Sequence, residues 1–274
     1  MTFRLIKGTF HVVGYSPDGD SVRFKAKNPE NWNLLAGIPT VLNEENHAQI
    51  RLLGIDSLET HFRNFQQQWG FTSANFLLEK LEIEGVKWDE EKKTVVAAKD
   101  KNPGFILAKK TDQHGRPLAF VFTGDIDHPD GAEFLLPVGL LFKSANYQSL
   151  AWGQSYPTYY RGIAPTLRAK MTGAVVKARN KKIGIWQSDV TNQGFRVWDL
   201  FDVSKNIVIL PKLFRRLIAY LETSSELSGF KNSIVKSEKV LILPHKKKKL
   251  FRDIILQQED FFCLSELPEN LIYL

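Results

Sequence analysis

A short alternating segment beside a tight turn is the feature that most constrains the fold. In Ser21–Lys27, apolar and basic residues alternate, which is the period of a strand with one buried face. The preceding Pro17–Asp20 predicts a hairpin turn, because the glycine within it adopts positive φ freely. We therefore expect a partner strand over residues 9–13 and a sheet with one face in water.

Further strands and helices are predicted in an order typical of a small barrel. Residues 28–46, rich in Asn, Pro and Gly, predict a long loop, and aromatic residues at helical spacing predict a helix from Phe65 to Phe76 that Gly85 ends. The other predicted strands are 47–55, 85–89, 94–98, 104–109 and 117–123, and the other predicted helices are 137–152 and 165–182. This order predicts an α+β, predominantly β fold, namely a five-stranded OB-type Greek-key barrel with about three helices in a curved antiparallel arrangement.

The character of the chain changes after Asp189. Its 274 residues are enough for one large domain or two ordinary ones. The predicted elements beyond this point are an amphipathic helix at 211–222 and strands at 239–243 and 253–256. We expect an OB-type domain over 1–189 and a smaller C-terminal α/β extension over 190–274.

The charge of the chain favours an anionic partner. A net charge of +7 points to nucleic acid first and a membrane surface second, although it is also compatible with a role in solubility alone. No apolar run reaches the length of a membrane span, so we expect no membrane partner. The single cysteine, Cys263, excludes an intrachain disulfide. As given, the chain looks cytoplasmic, and it would look the same if an export signal had been removed.

Three short segments carry charged side chains suited to one chemistry. Asp18–Ser21 (DGDS) and Arg51–Glu59 (RLLGIDSLE) offer carboxylates and an arginine, and His114–Ala119 (HGRPLA) adds a second arginine. Carboxylate oxygens suit a hard cation, and guanidinium forks suit phosphate oxygens. A further carboxylate can handle the attacking water. The combination predicts a metal-dependent attack of water on a phosphodiester.

Each of these residues also has a plainer interpretation. Asp20 can be a turn residue, Asp56 a helix N-cap, and Glu59 a carboxylate in the first turn of that helix. Arg51 and Arg116 can form surface salt bridges. In an extended strand Arg51 and Asp56 point to opposite faces, so a shared pocket requires the strand to end, twist or bulge near Gly54.

Four motifs in order resemble one family. DGDS, RLLGIDSLE, HGRPLAFVF and KARNKKIGIWQSD resemble the staphylococcal (micrococcal) nuclease-like family over about residues 5–189. The resemblance implies an OB barrel with three helices, a Ca²⁺ cofactor, or another divalent cation, and release of the 5′ oxygen of the scissile bond. The roles that it implies are metal binding by Asp20, Asp56 and the carbonyl of Ser57, handling of water by Glu59, and phosphate binding by Arg51 and Arg116.

The chain departs from the family pattern at two positions. Leu58 replaces a proline, which makes the turn between Asp56 and Glu59 less rigid. His114 replaces a tyrosine that contacts phosphate in relatives, so its imidazole is either a replacement donor or an exposed turn residue. The candidates for base stacking are Tyr156, Tyr159 and Tyr160, whose alternative role is to pack their loop.

The sequence therefore predicts a Ca²⁺-dependent nuclease that cleaves DNA, RNA or both with little sequence preference. The alternative is a catalytically silent OB-type scaffold that binds nucleic acid or protein. In either case residues 190–274 are a candidate docking region for a protein partner. The run Lys246–Lys249 is interpreted as a solvated charge run in preference to a phosphate-binding segment.

Overall fold

A computed structural model describes residues 2–224 and 226–274. Its strands are β1 (Thr2–His11), β2 (Ser21–Ala26), β3 (Ala48–Leu52), β4 (Ile55–Ser57), β5 (Glu84–Trp88), β6 (Val95–Lys99), β7 (Asn102–Thr111), β8 (Pro117–Thr123), β9 (Glu133–Leu135), β10 (Ser155–Pro157), β11 (Tyr159–Tyr160), β12 (Phe195–Arg196), β13 (Lys239–Ile242), β14 (Lys247–Leu250), β15 (Ile255–Gln258), β16 (Phe261–Leu264) and β17 (Leu271–Tyr273). Its α-helices are α1 (Gly70–Lys80), α2 (Val138–Leu141), α3 (Ala145–Ala151), α4 (Pro165–Asn180), α5 (Leu200–Lys205), α6 (Pro211–Leu221) and α7 (Phe230–Ser233).

The contacts divide the chain into two compact units. The barrel unit comprises the residues up to Leu53 together with Phe71–Ser149. The composite unit comprises Gly54–Gly70 and Leu150–Leu274, two segments far apart in sequence. The predicted domain boundary at residue 189 stays a prediction. No helix of the described ranges is both long and apolar enough to cross a bilayer.

A closed five-stranded barrel forms the centre of the barrel unit. Its strands follow the order β2-β3-β8-β7-β1, and β1 pairs back onto β2 to close the ring. This confirms the predicted mixed α+β, mostly β fold of OB type. One detail differs from the expected antiparallel arrangement, because β3 and β8 run parallel. The long connection between those two strands permits a parallel crossover.

Aromatic side chains fill the barrel where two glycines make room. Gly8 and Gly104 lie opposite each other on β1 and β7. A Cβ on Gly104 would approach the Phe10 ring to 2.3 Å, and one on Gly8 would approach the Phe24 ring to 2.7 Å. The rings of Phe10 and Phe24 lie 5.1 Å apart, and both are fully buried. A larger side chain at either glycine would displace a core ring or the neighbouring strand.

Two predicted helices differ from those observed. The helix expected from Phe65 begins only at Gly70, because Trp69 has a φ of +75° and a β-bridge joins Phe62 to Phe65. The helix expected over 137–152 is divided into α2 and α3. The Ser144 hydroxyl accepts the backbone N–H of Tyr147 at 3.1 Å, which is an N-cap that starts a new helix.

Within the described residues, the composite unit has its own core and three small sheets, of which the smallest pairs β10 with β4. Of the two larger sheets, one has the order β11-β17-β13-β14 and the other the order β12-β16-β15. The predicted strand near 239–243 is confirmed as β13. The lysine run 246–249 lies mainly in the neighbouring strand β14. The core of this unit includes the fully buried phenylalanine side chains Phe214, Phe230, Phe251 and Phe262.

The amphipathic helix predicted near 211–222 is confirmed as α6. It starts at Pro211, whose missing N–H costs nothing in the first turn. Its buried face consists of residues at positions one helical turn apart, namely Leu213, Phe214, Leu217 and Ile218. Burial of this face fixes the rotation of the helix, and the rotation decides where its basic residues point.

Candidate functional site

In the barrel unit, Asp20 and Arg51 are brought together by strand pairing. Ser21 on β2 lies opposite Arg51 on β3, so Asp20 is one residue from that pair. The Arg51 guanidinium donates to the Asp20 carboxylate, whose side chain is 1% exposed. The backbone N–H of Asp20 donates to the Asp18 carboxylate at 3.1 Å, so Asp18 stabilises the turn before β2.

Arg116 lies in a tight turn with its own carboxylate partner. Its Nε and backbone N–H donate to Asp112 at 2.8 and 3.0 Å. Burial tends to raise the pKa of Asp112, but the hydrogen bonds from Arg116 and His114 outweigh it and lower that pKa. Arg116 is 31% exposed and His114 is exposed, so both side chains reach the surface of this unit. The salt bridge expected as the plainer interpretation therefore forms, and the phosphate-binding roles stay predictions.

The strand carrying Arg51 ends before Asp56, as the sequence requires. β3 ends at Leu52 and β4 begins at Ile55. Between them Gly54 has a φ of +83°, a left-handed conformation that favours glycine. A Cβ there would also lie 2.7 Å from the Met171 side chain. The predicted change of direction at Gly54 is confirmed.

The helix-capping interpretation of Asp56 and Glu59 is wrong, because no helix starts there. Asp56 lies within β4, which pairs with β10, and α1 begins only at Gly70. The turn is held by Gln67, which receives the Glu59 backbone N–H at 3.2 Å and donates its own backbone N–H to the Glu59 carbonyl at 2.8 Å. Leu58, at the position of the family's proline, is fully buried. Tertiary contacts thus hold a turn that lacks the proline.

One guanidinium joins the two carboxylates of this turn. Arg215 on α6 donates to Asp56 through Nη2 at 2.9 Å and Nη1 at 3.3 Å, and Nη1 also donates to Glu59. The side chains of Arg215, Asp56 and Glu59 are 27%, 2% and 19% exposed. We call these three residues the Arg215 cluster. Burial tends to lower the pKa of Arg215, but the charges of Asp56 and then Glu59 outweigh it and raise that pKa.

Sequence reasoning missed Arg215. On α6 it stands among other basic residues, Lys212 and Arg216, which both pair with Glu238 instead. The sequence feature that could have indicated it is the helical periodicity of 211–221. That periodicity places Arg215 about a quarter turn around the helix axis from Lys212 and Arg216, and so on a different face. Periodicity alone does not identify the carboxylates that such a residue meets.

Two of the three candidate tyrosines are packing residues in this structure. Tyr156 and Tyr159 are fully buried. The Tyr156 hydroxyl donates to Asp189 at 2.7 Å, and the Tyr159 hydroxyl bonds with Thr172 at 3.0 Å. Burial raises the pKa of both phenols. The loop-packing interpretation accounts for these two rings, so base stacking is not supported for them. Tyr160 is 48% exposed, and its role stays a prediction.

The oxygen atoms of the predicted metal ligands suit a hard divalent cation. In the structure, however, the two carboxylates among these ligands form ion pairs with arginines. Asp20 and Asp56 offer carboxylate oxygens and Ser57 a backbone carbonyl, which are the ligands Ca²⁺ prefers. Within residues 2–224 and 226–274, no group of three or more His, Cys, Asp or Glu residues is placed to hold a metal ion. The metal-binding roles of these three residues stay predictions.

The closed five-stranded barrel defines a protein of the OB-fold class. A family profile described as staphylococcal nuclease homologue matches residues 49–188, just over half of the chain. The chain therefore belongs to the staphylococcal nuclease homologue family, which confirms the resemblance seen in its motifs. The match includes Arg51, Asp56, Glu59 and Arg116 and begins after Asp20. A search of curated proteins gave no match.

Proposed function

We propose that this chain is a nuclease that hydrolyses phosphodiester bonds of DNA, RNA or both, with Ca²⁺ as its cofactor. The observation that carries the proposal is membership of the staphylococcal nuclease homologue family. The charged residues in the motifs that resemble the family support it. The net charge of +7 supports a polyanionic substrate. No described feature resembles a helix that reads base edges, so we expect slight sequence preference.

The proposed chemistry assigns each side chain one task. Glu59 accepts a proton from the attacking water as the new P–O bond forms. Arg51 and Arg116 donate to the phosphoryl oxygens, on which negative charge grows in the transition state. The bond from phosphorus to the 5′ oxygen then breaks, and that oxygen takes a proton from water. When bound by Asp20, Asp56 and the Ser57 carbonyl, the cation would supply Lewis acidity toward the phosphate.

Digestion of single-stranded DNA and RNA tests the proposal. We expect cleavage with millimolar Ca²⁺, none with EDTA, and a loss of about 10²–10³-fold in the Glu59→Gln and Arg116→Ala variants. Arg4→Ala is a matched control, because Arg4 also forms a surface ion pair, with Glu133 at 3.0 Å. A folded protein that leaves both substrates intact with Ca²⁺, Mg²⁺ and Mn²⁺ would rule the proposal out.

The second candidate function is a silent scaffold that binds nucleic acid or protein. The observation that favours it is internal charge pairing: Arg116 pairs with Asp112, and the carboxylates of Asp56 and Glu59 pair with Arg215. The same digestion separates the two functions when strand binding is measured in parallel. Binding without cleavage under all three cations favours the scaffold.

A further inference from the structure

The guanidinium of Arg215 binds the carboxylate of Asp56, to which the proposed function assigns a divalent cation. Asp56 is the proposed metal ligand and Glu59 the proposed acceptor of a proton from water. Both carboxylates accept hydrogen bonds from the guanidinium of Arg215. Arg215 lies beyond residues 49–188, so it is an addition by the C-terminal segment to the family's own residues.

The position of Arg215 is built into the packing of α6. Arg215 and Glu222 lie seven residues apart, so they share one helix face. Both pair with the segment Gly54–Gly70: Arg215 with Asp56 and Glu59, and Glu222 with Arg63. The same region of α6 makes an edge-on ring contact in which the Phe214 and Phe62 centroids lie 6.5 Å apart. Several independent contacts therefore hold this helix face against the turn that carries both carboxylates.

The charges of the cluster determine how it responds to a cation. Two carboxylates and one guanidinium leave a net charge of −1, compared with −2 if the arginine were absent. A divalent ion near Asp56 would be repelled by the guanidinium, and would compete with it for the same oxygens. Such interactions between close charges are strong where water is largely excluded.

We propose that Arg215 is an internal counter-ion that competes with a divalent cation for Asp56 and Glu59. This inference rests on the proposed function, because that function assigns the cation to Asp56. Arg215 holds the two carboxylates while the cation is absent and moves from Asp56 when the cation binds. The C-terminal segment thereby sets the concentration of Ca²⁺ at which the cluster is occupied.

Calcium binding measured without substrate tests this proposal. Full-length wild type and Arg215→Gln are titrated with Ca²⁺ by calorimetry and by the shift in Tm. We expect the midpoint of binding to fall at least about tenfold in Arg215→Gln, because the repulsion and the competition are both removed. Arg216→Gln is the matched control, since Arg216 is one residue away and pairs with Glu238. Equal midpoints in wild type and Arg215→Gln, or binding to neither protein, would overturn the proposal.

A second measurement follows Arg215 directly in the wild-type chain, and a conservative variant serves only to assign its resonance. The Nε–H resonance of Arg215 in ¹⁵N-arginine-labelled protein is assigned by its loss in Arg215→Lys. We expect this resonance to move during the Ca²⁺ titration in step with the heat of binding. Heat of Ca²⁺ binding without movement of the resonance would contradict the competition.

The two proposals fail in different ways. A lowered Ca²⁺ midpoint in Arg215→Gln without cleavage of DNA or RNA supports the counter-ion and removes the nuclease. Cleavage that depends on Ca²⁺, with equal midpoints in the two proteins, retains the nuclease and removes the counter-ion.

Discussion

The charged clusters of the two units are built over very different distances in sequence. In the barrel unit, Arg116 meets Asp112 four residues away, and Arg51 meets Asp20 through adjacent strands. In the composite unit, Arg215 meets Asp56 across 159 positions. Local turns and strand register suffice for the first kind of cluster. The second kind exists only if two distant segments fold as one body.

Removal of the residues after 189 tests this difference most strongly. The deletion removes β17, which pairs with β11, and Glu269, which forms a bidentate ion pair with Arg179. It also uncovers Tyr159, which is fully buried. We expect the free energy of unfolding of the composite unit to fall by about 3–5 kcal/mol or more. That range is the cost of deleting one large core side chain. Chemical denaturation followed by tyrosine and tryptophan fluorescence measures it.

The deletion can also contradict the comparison. A chain of residues 1–189 that unfolds cooperatively, with an unchanged free energy of unfolding, would show that residues 190–274 fold separately. In that case the domain boundary predicted from the sequence at residue 189 would describe the protein better than the composite unit does.

Loss of the arginine from the Arg215 cluster should have the next largest effect. Arg215→Met leaves two carboxylates without their guanidinium, and Asp56 is 2% exposed. We expect a loss of about 2–4 kcal/mol, toward the lower end of values for broken buried pairs because Arg215 is partly exposed. Chemical denaturation at pH 7 measures it. Adding Glu59→Gln to Arg215→Met should restore part of the lost stability, because it removes one of the two negative charges. A double variant no more stable than Arg215→Met would show that charge repulsion does not cause the loss.

Acid should weaken the barrel unit through a histidine pair. The rings of His11 and His47 lie 3.9 Å apart, and burial lowers the pKa of both from the ordinary 6.5. For His11 the charge of His47 lowers the pKa further, whereas Asp100 opposes the shift. The unfolded chain therefore binds more protons below pH 6.5, so stability is full above that pH and falls as pH decreases toward the folded pKa values.

Thermal unfolding between pH 7.5 and pH 5 measures this acid sensitivity. We expect Tm to fall with pH in the wild type and to fall less steeply in His47→Gln, which has one fewer buried imidazole. His128→Gln is a matched control, because His128 is exposed. Equal slopes in wild type and His47→Gln would contradict the assignment.

The smallest effect on stability is expected at Arg116. Its ion pair with Asp112 lies within one turn and is 31% exposed on the arginine side. Exposed pairs contribute about 0–1 kcal/mol, so Arg116→Ala should barely change the free energy of unfolding. Denaturation of this variant beside Arg4→Ala measures the difference. A loss above about 2 kcal/mol would show that Arg116 is a structural residue and would weaken its assignment as a phosphate donor.

Strand prediction succeeded for β2, β3, β7 and β8 of the barrel. The strand expected over residues 9–13 is instead the end of the longer β1, and the strands expected over 85–89 and 94–98 form a separate sheet of β5 and β6. The start of the helix expected from Phe65 was wrong, because Gln67 binds the Glu59 backbone and α1 begins only at Gly70. No local sequence pattern records that contact. The motifs indicated the candidate side chains. Their ion-pair partners depend on how distant segments pack in the folded chain, and no motif records that packing.

By itself, the sequence determined most of the barrel strands, the amphipathic helix, the family motifs and the break at Gly54, because each depends on side-chain periodicity or on backbone conformations within a few residues. Only the tertiary structure decided that Tyr156 and Tyr159 are buried and that Arg215 joins Asp56 to Glu59. The physical reason is that burial and ion pairing depend on which distant segments exclude water from each other. Helical periodicity sets the face on which Arg215 lies, and tertiary packing sets which charges it meets.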